Sequence, residues 1–185
     1  MKTTLPCIFA AAALACASAS ALRSEDASTK YAPLAYAPAG NYGQALVDME
    51  MAKHVELKLI TLHVTPKGVA ADSDKDRCIM FSTIGRIGKH DNQEDIDIFK
   101  AGQEKTEIAT DPAPGVPSWS PTSTPKFEVM APLQDSSGKS IGLAVIVFGY
   151  KKGEDTDKFI KIAHDIRDEI KDRTPSKDAL FDPAS

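Results

Sequence analysis

The chain is poor in cysteine, in aromatic residues and in long apolar runs, and each shortage excludes something. Its three cysteines are Cys7, Cys16 and Cys78. The first two lie in a stretch with the marks of a secretory signal peptide. Met1-Lys2 gives a positive start, Leu5 to Ala17 is a small apolar run, and Ala19-Ser20-Ala21 is an A-x-A cleavage site. Cleavage there starts the mature chain near Leu22 and leaves Cys78 alone, so no internal disulfide braces the fold. The apolar run falls short of the ~20 residues a bilayer span needs, and no other stretch supplies them. The mature protein is therefore expected to be soluble and periplasmic or secreted. Ala13-Leu14-Ala15-Cys16 loosely matches a lipobox with leucine one place off, so a lipid anchor at Cys16 ranks below simple cleavage.

Strong charge of either sign is also missing. The net charge is −4, spread along the chain. That excludes the basic face a nucleic-acid binder needs and the polybasic patch that holds a protein on an anionic membrane. Catalytic signatures are absent as well: no G-x-S-x-G, H-E-x-x-H, C-x-x-C or P-loop occurs. We expect no enzyme and no cofactor. His54, His63, His90 and His164 share no metal-ligand spacing. Asp72, Asp74 and Asp76 alternate as in a calcium loop but lack its glycine and closing glutamate. No metal site is expected.

What is present organises around Lys126 to Tyr150. Two β-type runs, Phe127–Leu133 and Ser140–Phe148, flank the polar segment Gln134-Asp135-Ser136-Ser137-Gly138-Lys139, a hairpin signature. The second run, Leu143-Ala144-Val145-Ile146-Val147-Phe148, has no polar face, so it is predicted to be a central strand. Residues 1–21 form the leader, and 22–41, rich in Ala, Ser and Pro, reads as disordered. Helical spacing marks Tyr42 to Lys53. Leu57–Val64, Cys78–Ser82 and Lys105–Ala109 read as strands. A short helix capped by Asp91 and Glu94 ends at Gly102. Thr110 to Pro125 holds five prolines and Trp119, a loop or flap by composition. A last helix, N-capped by Asp155, buries Phe159, Ile162, Ala163, Ile166 and Ile170, and ends before Pro175. Residues 42–174 form one domain and 175–185 a tail. The fold class is α+β: an antiparallel sheet with helices packed on it.

Two segments carry a family resemblance. Ser82-Thr83-Ile84-Gly85-Arg86-Ile87-Gly88-Lys89 resembles the strand-to-loop motif of Cache domains. Phe127 to Asp135, followed by Gly138-Lys139-Ser140-Ile141-Gly142, resembles the same family's hairpin. Cache domains are extracytoplasmic relatives of the PAS fold. The resemblance implies about five antiparallel strands and a long N-terminal helix behind them. It also implies a small-molecule pocket on the sheet face, under the loops between the third strand and the hairpin. Such domains usually serve membrane receptors, whereas here no transmembrane helix follows.

The candidate ligand contacts are Arg86, Ser82, Thr83, His63, Trp119 and Tyr150. Arg86 sits in a two-glycine loop past a strand end, where its fork suits a carboxylate; otherwise it caps loop carbonyls or pairs with Asp91. Ser82 and Thr83 either donate to the same anion or satisfy the strand-end backbone. His63 shares a strand face with Thr61 and lines a pocket or is half-buried and satisfied. Trp119 and Tyr150 close a pocket rim or pack in the core. Lys126 and Glu128 read as an exposed stripe, and Cys78 as a buried thiol. The function expected is an exported sensor-type domain binding a small anionic metabolite, with a membrane sensor protein as partner and a homodimer formed through the first helix. The alternative is a structural or protein-interaction module with a filled core.

Overall fold

The computed structural model describes residues 40–111, 115–118 and 120–184. The signal peptide, residues 22–39 of the expected leader and Trp119 lie outside the described residues, and Asn41, expected in the disordered leader, is instead the buried N-cap of the first helix. The observed elements are α1 (Tyr42–Lys53), β1 (Leu57–Val64), β2 (Cys78–Ser82), α2 (Gln93–Ala101), β3 (Lys105–Ala109), β4 (Lys126–Gln134), β5 (Ser140–Gly149), α3 (Asp157–Arg173) and a 3-10 turn at Asp178–Phe181. The strands form one antiparallel sheet in the order β2-β1-β5-β4-β3. Strand β5 is thus central, as its two-sided apolar sequence requires. Eight consecutive residues, Ile141 to Phe148, are buried and feed both faces.

One face carries the main core. Leu46 and Val47 of α1, and Phe159, Ala163, Ile166 and Ile170 of α3, pack on Ile60, Leu62, Val129, Ala144, Ile146 and Phe148. Phe159 stacks on Phe148 and Phe127, with ring centroids 4.8 and 5.8 Å away. Such pairs add about 0.5–1.5 kcal/mol each beyond area burial, so they fix α3 to the sheet. The opposite face is smaller and covered by α2: Ile98 and Ile84 lie over Leu59, Met130, Leu143, Val145 and Val147.

The β4–β5 turn is tied by one carboxylate. Asp135 Oδ1 accepts from the Ser137 N–H (3.0 Å), the Ser137 hydroxyl (2.6 Å) and the Lys139 N–H (3.1 Å). Gly138 supplies the positive φ of 85° that the turn needs. The Ser136 N–H donates to the carbonyl of Thr174, joining the turn to the end of α3.

Four details differ from the sequence reading. Helix α1 has twelve residues and begins at Tyr42, so the long N-terminal helix implied by the resemblance is not seen among the described residues. The cap of α2 is Asn92, closed by Asp95 in a capping box, one position later than expected. Asp91 is committed elsewhere, as shown below, and Asn92 takes over. Asp155 is not the N-cap of α3; Thr156 holds that position, while Asp155 Oδ1 accepts from the Asp157 N–H at 3.0 Å. The stretch expected as a tail packs down too. Leu180 is fully buried, Phe181 lies 5.2 Å from Phe81, and the Tyr42 N–H donates to the Asp182 carbonyl. Two apolar side chains in a short polar segment suffice to dock it. Among the described residues no helix is long and apolar enough to cross a membrane.

The central strand pair leaves no room for a methyl group at Gly142. A Cβ there would lie 2.2 Å from the His63 carbonyl oxygen and 2.7 Å from Val64 Cγ1. Gly142→Ala should therefore push β5 from β1 and destabilise the domain by about 3 kcal/mol, the upper end for overpacking. Urea denaturation measures this, and a cost near zero would contradict the close β1–β5 approach.

Candidate functional site

Two polar features interrupt the apolar frame. The first lies under α2. Because β1 alternates, Thr61 and His63 share the α2 face, and register places them beside Val145 and Leu143. His63 Nδ1 is 2.9 Å from Asp91 Oδ1, and its Nε2 is 3.1 Å from the Thr61 hydroxyl. Arg77 Nε donates to Asp91 Oδ2 at 2.5 Å, and its Nη2 to Asp74 at 3.3 Å. The guanidinium also stacks 3.8 Å from the Phe99 centroid on α2. The side chains of Arg77 and Asp91 are both fully buried. Burial alone pushes the Asp91 carboxyl up, but hydrogen bonds and charge from His63 and then Arg77 outweigh it and hold the group below its ordinary 3.8.

Hydroxyl, imidazole and carboxylate in a row is the wiring of an activated nucleophile. Here Thr61 and His63 are 4% and 7% exposed, so no substrate reaches them and the row serves as a tie between β1, the approach to β2 and α2. His63, Asp91 and Asp95 also bring three potential metal ligands within 4.8 Å of one another. Asp91 is already neutralised by Arg77, and Asp95 Oδ2 accepts from the Asn92 N–H at 3.0 Å. A cation gains little from oxygens so engaged, and a structural zinc takes four ligands. Nearby, burial raises the Cys78 thiol to about 12, with Asp91 and Asp76 adding to it. A thiol so raised is a packing group, not a nucleophile.

The second feature is an open cleft of about 550 Å³ at the other end of β1, beneath the chain between β3 and β4. Glu56, Lys58, Ser118, Ser123, Tyr150 and Lys158 are among its lining residues. The β1–β5 register shifts between Leu57 and Leu59, which makes Lys58 a bulge residue. Bulges re-aim side chains, often beside sites. The Lys58 ammonium donates to the Ser123 carbonyl at 2.7 Å and lies 3.2 Å from its hydroxyl. No carboxylate among the described residues lies within ion-pair distance of it. Partial burial, then the charge of Lys126, lower its pKa from the ordinary 10.5. Lys126 itself is paired with Glu128 at 2.5 Å. Lys58 is thus a partly desolvated cation hydrogen-bonded to neutral oxygens at the wall of an open cleft.

The structure does not gather the sequence candidates into one place. Tyr150 lines the cleft, and its hydroxyl accepts from the Gly153 N–H at 3.2 Å. His63 belongs to the tie under α2. The Ser82 hydroxyl accepts from the Ile84 N–H, and the Thr83 hydroxyl accepts from the Ile60 N–H; both satisfy strand-end backbone. Arg86 is exposed, with φ of 62° between two positive-φ glycines, and it is not among the cleft residues. Asp91, its expected alternative partner, is held by Arg77 and His63 instead. Lys58, Arg77 and Ser123 escaped the sequence reading. The one available signal was Lys58 as the only charged residue in Leu57–Val64.

Removing the carboxylate tests the buried tie. A native pKa below 3.8 means that the stability due to Asp91 is complete above that value and is lost as pH falls through the lower native pKa. Asp91→Asn should cost about 3–5 kcal/mol near neutrality, as for other broken buried pairs, and flatten that part of the acid limb. Urea melts from pH 2 to pH 7 check both; an unchanged acid limb would contradict the pairing.

No family model and no curated protein matches the chain. Among solved structures it is similar to a chain in the E. coli DhaR(N)-DhaL complex, at 12% identity and a TM-score of 0.43, over 72% of this chain and 46% of that one. The chain thus spans less than half of that neighbour's length, and a likeness this slight leaves fold and function to be argued from its own residues.

Proposed function

We propose that the protein is an exported, sensor-type domain of the PAS/Cache kind that binds a small anionic metabolite. The observation that carries this reading is the polar-lined cleft beneath the β3–β4 connection, with bulged Lys58 in its wall. The five-stranded antiparallel sheet agrees with a PAS-like architecture, and the cleft at the strand ends beneath the β3–β4 connection is the pocket this reading uses. Lys58 supplies the charge, and Ser123 and Tyr150 supply hydroxyl contacts, while Lys158 at the rim is paired with Glu154 at 2.5 Å. A bound carboxylate replaces the neutral carbonyl acceptors of Lys58 with a charged one, a bond roughly twice as strong. No catalysis is assigned, and a membrane sensor protein is the partner this reading proposes.

A second reading has one observation of its own. Beneath α2 the sheet face is filled by Leu59, Ile98, Met130, Leu143, Val145 and Val147, as in a structural or interaction module with a closed core. The two readings part at the cleft.

Thermal-shift measurements with small organic acids, amino acids and amines separate them. A ligand at a hundred times its Kd adds about 2.7 kcal/mol, which raises Tm by several degrees in a domain of this size. Organic acids should give that rise. Lys58→Met should weaken binding by roughly tenfold or more, the worth of a charged hydrogen bond, while Arg86→Ala leaves it intact. Affinity should fall as pH rises through the lowered Lys58 pKa, since only the ammonium attracts the anion. Stabilisation by no compound class would leave the interaction-module reading standing.

A further inference from the structure

We propose that β3 is a dimerisation edge at which a second copy of this chain pairs antiparallel about Ile108. The two edges of the sheet are treated differently. Outside β2, the Gly88 N–H donates to the Ile79 carbonyl, the Ile79 N–H to the Lys89 carbonyl, and Cys78 bridges His90. That edge is covered by the chain itself. At the other edge, among the described residues, β3 pairs only with β4, and four of its five residues are exposed. An uncovered edge presents free N–H and C=O groups to any strand that fits.

The sequence of β3 selects what fits. In a symmetric dimer each residue faces its mirror position in the partner. Pairing centred on Lys105 sets lysine against lysine, and pairing centred on Glu107 sets glutamate against glutamate. Like charges directly opposite oppose pairing. Centring on Thr106 removes that clash but places Ile108 against Glu104. Centring on Ile108 sets Ile108 against Ile108, Thr106 against Thr110, and Lys105 against Asp111 at both ends.

Two further observations agree. Ile108 is 47% exposed, and with Val55 it makes up the large exposed hydrophobics of the described residues. It also lies opposite Phe127, which lies opposite Phe148. The proposed contact therefore extends an existing apolar row from one sheet into the other. Helix α1 offers no comparable surface. Its exposed positions are Asp48, Ala52 and Lys53, and Lys53 is tied to Glu50 and Glu169. The interface belongs to β3 and not to the first helix. A single short strand pair buries little area, so the dimer is weak and concentration-dependent.

Sedimentation equilibrium on the purified protein over a wide concentration range tests this. The wild type should pass from monomer to dimer, and Ile108→Lys should weaken association by about tenfold or more with Tm unchanged, because the site is exposed. Asp111→Lys should also separate the copies, and adding Lys105→Glu should restore the dimer with the charges exchanged. A monomer at every concentration overturns the proposal. So does a dimer that ignores Ile108→Lys, or one that is lost on Ala52→Glu in α1.

Discussion

The two-sided burial of β5 is the constraint on which the rest depends. A strand with no polar face has to sit inside a sheet with cover on both sides. In this chain β1 and β4 flank it, α1 and α3 cover one face, and α2 covers the other. Every polar feature is then placed relative to that strand. Thr61 and His63 face α2 because β1 is in register with β5, and Lys58 escapes the pattern because one residue of β1 is inserted against β5. The main core fixes the frame, and the exceptions to its alternation carry the chemistry.

The two polar features are chemically opposite. The His63–Asp91–Arg77 tie is buried and its charges are mutually neutralised, so it holds α2 to the sheet and offers nothing to a ligand. Burying such a pair gains little net stability over an apolar replacement, but leaving one partner alone is costly. Lys58 is the reverse case. It is a single partly desolvated cation with carbonyl and hydroxyl neighbours and no counter-charge within ion-pair distance among the described residues. An ammonium without an ion-pair partner is one that an anion improves.

The fold was largely legible because its signals are periodic. Alternation and helical spacing located β1, β2, β3 and α1 to the residue, and the polar segment after Leu133 marked the hairpin. The apolar run of β5 told its central position. Capping was misread at Asp91 because cap preference is local, whereas Asp91 is drawn away by His63, 28 positions earlier. The site was less legible for the same reason. The Arg77–Asp91 pair spans 14 positions and the Lys58–Ser123 contact spans 65, and no spacing rule reaches so far. A bulge leaves no mark in a single sequence, so Lys58 read as one strand lysine among others. Ser82 and Thr83 ended up serving backbone groups, the commoner fate of hydroxyls at strand ends.

The central claim is that the bulged lysine and the cleft beneath the β3–β4 connection form the binding site. Nuclear magnetic resonance of the labelled protein, titrated with small carboxylic acids, tests it most directly. The account predicts saturable shifts at the Lys58 ammonium and at the backbone amides of Ser123 and Tyr150, with the Arg86 loop silent. Saturable shifts confined to the Arg86 loop or to the residues under α2, or none anywhere, would contradict it.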